Sequence, residues 1–322
     1  TISGDIMNKV TAVVDLFLGD SGKGKIVDYL AKDYNSVVRF NGSNNAGHTI
    51  IIDGKTYKTH AIPSGVHYEH TINFIGHGCS MDSTVLLSEI EQSPNKNIFI
   101  SGNAHVIFPH HIKLDEARES KNGIGSTKRG VGPCYEAKHG RRGIRYKDFL
   151  LEPETASELL MQRFPDEAER NSALDTYFKC AQALKQHIVE DGVGYIQWLH
   201  QNGSILLEGA QGTFLDIDFG DYPFVTSSTT TIGGVFTGTG LNPKQLTETI
   251  GVVKSYGSYV GTNPDFPDID DQQLNEMLSK LGSEFGATTG RRRRLCWLDL
   301  DVLKRAVQIN GPDKLVLTKM DI

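Results

Sequence analysis

The stretch VTAVVDLFLGDSGKGKIVDYLAK, residues 10–32, decides the fold of this chain. Residues 10–18 are apolar and β-branched and predict a buried strand, whereas residues 26–32 predict a helix. Between them, the glycines of residues 19–25 (GDSGKGK) let backbone N–H groups converge on phosphate oxygens at the positive end of the helix. The glycine and lysine spacing matches the P-loop pattern, except that Ile26 replaces the final Ser or Thr. The chain therefore contains a strand, a phosphate loop and a helix in direct succession.

The replaced hydroxyl has a consequence for metal binding. In P-loop proteins that side chain binds Mg²⁺, so a metal ion here needs another oxygen ligand. Asp20, inside the loop, is the obvious candidate. The competing interpretation is a glycine-rich turn with surface lysines. The position of the loop directly after a strand argues against that interpretation.

Six further short apolar runs predict strands of one sheet. They are residues 36–40, 71–75, 97–100, 204–207, 249–253 and 314–317. Because the runs are continuously apolar rather than alternating, they favour a mainly parallel central sheet with helices on both faces, which is an α/β fold.

Residues 153–201 differ from the rest in being rich in Glu, Leu, Ala, Gln and Lys. Apolar residues at helical spacing, Ile188 among them, predict two or three amphipathic helices that form a helical subdomain. Residues 268–281 predict another helix. Since there are no repeats and no low-complexity linker, we expect residues 1–322 to form one domain. Residues 1–6, which precede Met7, are set aside as a possible addition to the natural chain.

The composition excludes several classes of protein. The 322 residues include 33 Lys and Arg against 39 Asp and Glu, and 38% are hydrophobic, as in globular proteins. A net charge of -6 argues against non-specific nucleic-acid binding. No run approaches the roughly 18 apolar residues of a membrane span. The four cysteines are widely spaced, which favours reduced thiols in the cytoplasm over a disulfide framework or a zinc site.

Polar clusters follow several of the predicted strands. Residues 41–49 (NGSNNAGHT) place His48 beside amides at a strand end, suitable for acid–base chemistry, although a lone histidine is more often structural. Residues 123–130 (GIGSTKRG), followed by Lys138 and the pair Arg141-Arg142, have the donors of an anion site, with a solvated loop as the alternative. The pair at 110 and 111 is a weak metal candidate because no third ligand stands at metal spacing.

The second half of the chain contains four more polar segments. Residues 208–213 (EGAQGT) and 225–228 (VTSS) supply amide and hydroxyl donors. The arginine run within 288–294 (TTGRRRR) indicates either a site for several anionic groups or a solvated or nucleic-acid-binding segment. TKMD, at 318–321, has an aspartate that can accept hydrogen bonds from the N1–H and N2–H edge of guanine, as in GTP-binding proteins.

Taken together and in order, these segments resemble those of the adenylosuccinate synthetase family, over most of the chain from Val10 to Asp321. The most specific strings are GKGKIVDYL, NAGHT, GVGPCYEAKHGRRG, LLEGAQGTFLDIDFGDYPFVTSS and EFGATTGRRRR. The resemblance implies a Mg²⁺-dependent carbon–nitrogen ligase. In that family GTP phosphorylates the 6-oxygen of IMP, and L-aspartate then displaces the phosphate.

The same resemblance implies the catalytic roles. Asp20 would remove the N1 proton and bind Mg²⁺ together with the carbonyl of Gly47. His48 would polarise the 6-oxygen and the phosphates, Gln211 would hold the 6-oxyanion, and Lys23 would neutralise the transferred phosphoryl group. Positioning and positive charge carry most of such a phosphoryl transfer.

Three binding sites are implied as well, in a homodimer to which Arg141 contributes across the interface. The triphosphate site comprises Ser21, Gly22, Lys23, Gly24, Lys25, Gly47, His48, Thr49, Arg293, Lys319 and Asp321. The monophosphate site comprises Asp20, Asn45, Ala46, Thr127, Arg141, Gln211, Thr226, Val260 and Arg291. The aspartate site comprises Ala287, Thr288, Thr289, Gly290, Arg291 and Arg293.

The chain departs from the family pattern near these sites. Phe17-Leu18 replaces Gln-Trp, Ser21 replaces Glu, and Asn44 stands where bacterial enzymes often have His. The sequence ends at Ile322, whereas most family members continue beyond TKMD with a segment that helps to enclose the guanine. These departures leave GTP, ATP and dATP open as phosphoryl donors. They also leave open a branch of the family, found in phages, that uses dGMP instead of IMP and makes the precursor of 2-aminoadenine deoxynucleotide.

Two other classes of protein compete with the ligase hypothesis. A P-loop GTP-binding switch without synthetic chemistry would account for residues 19–25 and for TKMD, but not for the arginine run or the second anion site. A nucleic-acid-binding protein would account for the arginine run alone.

Overall fold

The computed structural model describes residues 9–45, 48–52, 55–286 and 290–322. The strands are β1 Val10–Asp15, β2 Ser36–Arg39, β3 His48–Ile52, β4 Lys55–Thr59, β5 Ile72–Ile75, β6 Ser80–Asp82, β7 Ile98–Ser101, β8 His105–Ile107, β9 Ile188–Val189, β10 Ile205–Glu208, β11 Glu248–Lys254, β12 Tyr256–Tyr259, β13 Arg294–Trp297 and β14 Lys314–Thr318. The helices are α1 Lys23–Ala31, α2 Ser83–Gln92, α3 Pro109–Asn122, α4 Val131–His139, α5 Pro153–Arg163, α6 Glu167–Leu184, α7 Gly192–Asn202, α8 Gly233–Thr239, α9 Gln272–Leu281 and α10 Leu300–Asn310.

Eight strands form one parallel sheet in the order β14-β11-β1-β10-β2-β5-β7-β9. The predicted α/β fold with a mainly parallel central sheet is thus confirmed, and seven of its strands are those expected from the apolar runs. The pairs β3–β4, β6–β8 and β12–β13 lie outside this sheet.

The core lies on both faces of the central strands. All six residues of β1 are buried, which is why its sequence is continuously apolar apart from Thr11 and Asp15. One face of the sheet packs against α1 through Val27 and Ala31, and the other packs against α7 through Ile196 and further helices. Hydrophobic burial on both faces fixes β1, and with it the loop that follows.

The strand order gathers the predicted motifs at one edge of the sheet. Since β14, β11, β1, β10 and β2 are adjacent and parallel, their carboxyl ends lie side by side. The segments that leave these ends are TKMD, the turn into β12, the phosphate loop, residues 209–213 and residues 41–45. Ligands of open α/β sheets bind at this edge.

The boundaries differ from the sequence predictions in three places. The first strand ends at Asp15 rather than at residue 18, because the Asp15 carboxylate accepts a hydrogen bond from the Phe17 N–H and turns the chain. The helix after the phosphate loop begins at Lys23 instead of 26. The helix expected at 268–281 begins at Gln272, since the Asp271 side chain caps its first turn.

Residues 153–201 contain the helices α5, α6 and most of α7, but they are not wholly helical. Ile188, which the spacing assigns to a helix, lies in β9, and this two-residue strand pairs with β7 at the sheet edge. So short a strand after a long helix has no apolar run of its own to reveal it. Leu160 and Tyr177, on α5 and α6, pack in the same core cluster as Ile98 of the central sheet.

The four cysteines are all buried and unpaired with one another. Within the described ranges, no helix combines the length and the hydrophobicity that crossing a bilayer requires.

His110 and His111 lie in the first turn of α3, and His105 lies in β8. The rings of His110 and His111 lie 4.1 Å apart, and the ring of His110 meets that of Phe164. His111 Nδ1 accepts a hydrogen bond from the backbone N–H of Phe108. Burial lowers the pKa of His105 and of His111 to about 3 and that of His110 to about 4, with further lowering of the first two by nearby cationic side chains. These rings are therefore neutral in the folded protein near pH 7.

This burial predicts a loss of stability in mild acid. Because the pKa of each histidine is lower in the folded than in the unfolded chain, the unfolded chain takes up protons as the pH falls below about 6.5. Each of the three histidines should lower the free energy of unfolding by about 2 kcal/mol when the pH falls from 7.5 to 5.0. His110→Phe, which suits the aromatic packing, should remove one such contribution when urea unfolding is compared at the two pH values. His70→Gln, at an exposed position, serves as the control. An unchanged pH dependence in His110→Phe would contradict the prediction.

Candidate active site

The phosphate loop owes its shape to three residues with positive φ. Gly19 and Gly22 have φ of 82° and 84°, which glycine adopts without strain, and Asp20 has φ of 54°. Gly22 begins α1 without a side-chain cap, so the N–H groups of the first helical turn have no side-chain acceptor there. An uncapped helix N-terminus after a glycine loop suits a phosphate group.

The loop is tied to the end of β1 by the buried Asp15. Its Oδ1 accepts hydrogen bonds from the N–H groups of Phe17 (2.8 Å) and Gly19 (3.2 Å). Its Oδ2 lies 3.3 Å from the ammonium of Lys23, which is 6% exposed. Lys23 also donates to the carbonyl of Gln211, at 2.5 Å. Asp15 therefore compensates the buried charge of Lys23 and shapes the loop at the same time.

Gln211 connects the phosphate loop to the segment after β2. Its side-chain Nε2 donates to Asn45 Oδ1 (3.1 Å), and its Oε1 is buried with no hydrogen-bond partner among the residues that the structure describes. Its backbone has φ of 61°, which is uncommon outside glycine. A buried, unpartnered amide oxygen costs free energy, so it marks a place where a polar ligand group can bind.

Asp20 projects from the loop with its side chain 44% exposed. Its Oδ2 lies 2.8 Å from Nε of Arg293, a charge contact that is not aligned as a hydrogen bond. Nη1 of Arg293 donates to the buried carboxylate of Glu284 at 2.9 Å. The arginine run predicted to clamp aspartate is thus joined to the phosphate loop.

The second predicted anion site, at residues 123–130, is held by two carboxylates of α3. Glu119 accepts hydrogen bonds from the N–H groups of three successive residues, 124–126. Asp115 accepts from Ser126 Oγ and from the N–H of Gly130. Arg291 donates to the carbonyls of Gly125 and Ser126, at 3.4 and 3.3 Å. Thr127, half-buried, lies on this pinned loop.

TKMD lies against the phosphate loop. Thr318 Oγ1 donates to the carbonyl of Ser21 (2.8 Å), so β14 and the loop are directly connected. Lys319 Nζ donates to the carbonyl of Gly282 (2.7 Å), and Asp321 is exposed. Ser21 itself is 2% exposed, with its hydroxyl directed to the carbonyl of Gly19.

The structure describes some of the remaining predicted site residues, and the others lie outside the described residues. Arg141 is exposed just after α4, while Thr226 and Val260 are half-buried in loops. Gly24 is buried in the first turn of α1, Lys25 is exposed there, and Gly290 is exposed. Ala46, Gly47, Ala287, Thr288 and Thr289 lie outside the described residues, as do the side chains of His48 and Thr49, whose backbone is in β3.

Sequence reasoning missed the supporting carboxylates Asp15, Asp115, Glu119 and Glu284. The signal for Asp15 is a single carboxylate inside an otherwise apolar strand, directly before the phosphate loop. Such a charge needs a buried partner, and the first lysine of the loop is the nearest one available. The other three have no such local signal. Asp115 and Glu119 hold a loop that follows an ordinary helix end, and Glu284 holds side chains that are distant in sequence.

Backbone conformation is unusual at several of the predicted site residues. Six described residues other than glycine have positive φ: Asp20, Lys128, Arg141, Gln211, Ser283 and Lys319. Four of the six are predicted site residues. Since this conformation costs on the order of 1 kcal/mol per residue, its concentration here is typical of a functional site.

The fold and this site indicate a nucleotide-binding α/β enzyme with a carboxylate inside its phosphate loop. A family model for adenylosuccinate synthetase matches residues 12–322. The chain belongs to the adenylosuccinate synthetase family, and it is therefore a carbon–nitrogen ligase rather than a GTP-binding switch.

Individual relatives agree with this assignment. The adenylosuccinate synthetase of Halothermothrix orenii is 42% identical, in an alignment that covers 98% of this chain and 77% of that one. That of Acetivibrio thermocellus is 42% identical, in an alignment that covers 96% of this chain and 77% of the relative. The solved structure of the fully ligated Plasmodium falciparum adenylosuccinate synthetase matches with a TM-score of 0.89 and 38% identity, over 97% of this chain and 77% of that chain.

A phage enzyme shares the fold. The structure of the cyanophage S-2L succinoaminodeoxyadenylate synthetase, bound to dGMP and to dATP as an energy donor, matches with a TM-score of 0.74 over 97% of this chain and 84% of that chain. Its sequence identity is 23%, so the similarity extends to the fold alone.

The buried pair of Asp15 and Lys23 yields a direct prediction. Asp15→Asn leaves the Lys23 ammonium without its counter-charge, so we expect the free energy of unfolding to fall by about 3 kcal/mol. The Michaelis constant for the nucleoside triphosphate should rise about tenfold, because the loop loses its anchor. Urea unfolding and steady-state kinetics measure the two effects. Asp33→Asn, the same change at an exposed site near the other end of α1, should alter neither. Wild-type values for Asp15→Asn would refute the anchoring role.

Proposed function

We propose that this protein joins L-aspartate to C6 of IMP, giving adenylosuccinate, with GTP as the phosphoryl donor. The observation that carries the proposal is the exposed carboxylate of Asp20 inside the phosphate loop. Its Oδ2 lies 2.8 Å from Nε of Arg293, in the arginine run. A nucleotide switch has no use for a proton acceptor at this point, whereas a ligase that activates a purine oxygen needs one. Membership of the family supports the same substrates.

The chemistry requires the 6-oxygen to become first a nucleophile and then a leaving group. Loss of the N1 proton to Asp20 places negative charge on the 6-oxygen, which attacks the γ-phosphorus of GTP and releases GDP. The amine of aspartate then attacks C6, the C6–O bond breaks, and inorganic phosphate leaves. Gln211, with its buried amide beside Asn45, would hold the 6-oxygen, and His48 would polarise it.

The triphosphate site in this proposal is the edge formed by the phosphate loop and TKMD. Lys23 and the N-terminus of α1 would bind the β- and γ-phosphates, because they combine a fixed cation with the positive end of a helix that has no side-chain cap. Lys319 and Asp321 would contact the base. The hydrogen bond from Thr318 to the carbonyl of Ser21 supports one continuous site for phosphates and base.

The monophosphate and aspartate sites would lie on the other side of Asp20. Asn45, Thr127 and Thr226 would contact the 5′-phosphate, and Arg291 and Val260 the ribose. Arg291 already bridges to the carbonyls of the 123–130 loop, which supports a shared boundary between the two sites. The segment 287–293 would bind the carboxylates of aspartate.

The site residues fit Mg²⁺, a hard cation that prefers oxygen ligands. The Asp20 carboxylate is exposed at the mouth of the loop, where it would bind the ion together with the carbonyl of Gly47. When bound, Mg²⁺ would neutralise phosphate charge. In the structure Arg293 contacts Oδ2 of the same carboxylate, so this contact would have to loosen when the ion binds.

We also propose a homodimer in which Arg141 reaches the monophosphate of the partner. Arg141 is exposed, and its carbonyl accepts a hydrogen bond from Arg163 (2.8 Å), which fixes the backbone that presents the side chain. A positive φ of 60° at this position supports a specialised role.

A second candidate substrate is dGMP, and Ser21 is the observation that favours it. This small residue replaces the usual Glu beside Asp20, which alters the space and polarity next to the proton acceptor. The Ser21 hydroxyl is buried and directed to Gly19, so the side chain itself contributes volume rather than an exposed hydrogen-bonding group. ATP and dATP are likewise alternatives to GTP as the phosphoryl donor.

The substrate assignment is tested by direct assay. Purified protein with Mg²⁺, L-aspartate and GTP should convert IMP into adenylosuccinate, followed by mass spectrometry, and phosphate release should depend on aspartate. Parallel reactions contain dGMP in place of IMP, and ATP or dATP in place of GTP. Product from dGMP alone would move the assignment to the second candidate. Absence of product from both would refute the ligase proposal.

Asp20→Asn provides the matched variant for this assay. The amide has the same shape but cannot accept the N1 proton, so turnover should fall about 100-fold or more. Because Asp20 is exposed, the melting temperature should stay close to that of the wild type. Undiminished turnover would remove the assigned role.

A further inference from the structure

We infer that Glu284 is a positioning residue that holds Arg293 at the mouth of the phosphate loop, where it serves the aspartate site. This inference rests on the proposed function. Glu284 is 1% exposed and precedes the arginine run, in the segment between α9 and β13. A carboxylate buried so completely must have several compensating partners.

The two carboxylate oxygens of Glu284 have different partners. Oε1 accepts hydrogen bonds from the hydroxyl of Tyr256 (2.6 Å) and from the ammonium of Lys254 (3.1 Å). Oε2 accepts from Nη1 of Arg293 (2.9 Å). The backbone reinforces the second contact, since the N–H of Arg293 donates to the carbonyl of Glu284 (2.9 Å). One oxygen thus faces the core and the other faces the site.

The electrostatics favour an ionised carboxylate. Burial alone would raise the pKa of Glu284, but Lys254, Tyr256 and Arg293 together lower it below its ordinary value. Burial lowers the pKa of Lys254, and the negative charge of Glu284 opposes that change. With Asp20, the charges alternate in sign along the series Lys254, Glu284, Arg293, Asp20. Each member is stabilised by its neighbours.

Anchoring by Glu284 gives Arg293 a defined place. Its side chain is 12% exposed, with one end fixed by the buried carboxylate and Nε facing Asp20. A free arginine side chain would lose rotamer entropy on binding an anion, whereas an anchored one has already lost it. Arg293 is the last residue of the segment proposed to bind the carboxylates of aspartate. Its fixed position should therefore contribute directly to aspartate affinity.

The competing explanation is that Glu284 only compensates the buried charge of Lys254. In that case its loss would weaken the fold, with no selective effect on one substrate. The two carboxylate oxygens allow the explanations to be separated, because a variant can disturb one oxygen and spare the other.

Glu284→Gln is the test, measured in steady-state kinetics with each substrate varied in turn. The amide oxygen can still accept from Tyr256 and Lys254, while the amide nitrogen, a donor, faces Arg293 and breaks that contact. The Michaelis constant for aspartate should rise about tenfold or more, and that for IMP should change less than about twofold. Tyr256→Phe is the matched control: it removes a hydrogen bond to Oε1, so the melting temperature should fall while the Michaelis constant for aspartate stays within about twofold.

A double-mutant cycle tests whether the effect passes through Arg293. In an Arg293→Gln background, Glu284→Gln should raise the Michaelis constant for aspartate no further. Equal effects on aspartate and IMP, multiplicative effects in the cycle, or a wild-type constant for aspartate in Glu284→Gln would each overturn the inference.

Two further outcomes are distinguished by the same set of proteins. If Glu284→Gln does not fold, Glu284→Asp replaces it, because the shorter side chain keeps the charge that Lys254 requires and withdraws from Arg293. Failure of both to fold, with a folded Tyr256→Phe, would assign Glu284 to the core alone and overturn the inference. A wild-type protein that forms no adenylosuccinate would instead refute the proposed function.

Discussion

The structure of the site depends on one buried contact, between Asp15 at the end of the central strand and Lys23 at the start of the first helix. The ammonium of Lys23 sits where a phosphate is expected, and burying such a charge is costly unless a counter-charge accompanies it. Asp15 supplies that charge and also accepts two N–H groups of the loop. The same carboxylate therefore sets the loop conformation, which in turn determines where Asp20 projects.

Parallel strands then bring the other parts to this loop. Because β14, β11, β1, β10 and β2 are neighbours, segments distant in sequence leave the sheet side by side. Lys23 bonds to Gln211, Gln211 to Asn45, and Thr318 to Ser21. Two of the predicted motifs thus contact the phosphate loop directly, and residues 41–45 are connected to it through Gln211. Contacts already made between the described residues reduce the ordering that a ligand must impose on them.

The sequence predicts much of this and fails at identifiable points. Continuous apolar runs reveal seven strands of the sheet, because burial on both faces leaves a strong signal. The two-residue strand at Ile188 leaves none, and its register with β7 depends on tertiary contact. Motif residues such as Asp20 and Gln211 are found because they lie beside glycines at strand ends. Glu284 escapes detection because its importance comes from Lys254, thirty positions away, and Arg293 across a turn.

The central claim is that the purine 6-oxygen is phosphorylated before aspartate displaces it, and isotope transfer tests it most directly. IMP labelled with ¹⁸O at the 6-position is incubated with the protein, Mg²⁺, GTP and aspartate, and the released phosphate is analysed by mass spectrometry. The account predicts one ¹⁸O atom in the inorganic phosphate for each adenylosuccinate formed. Unlabelled phosphate, with the ¹⁸O released into water, would contradict it.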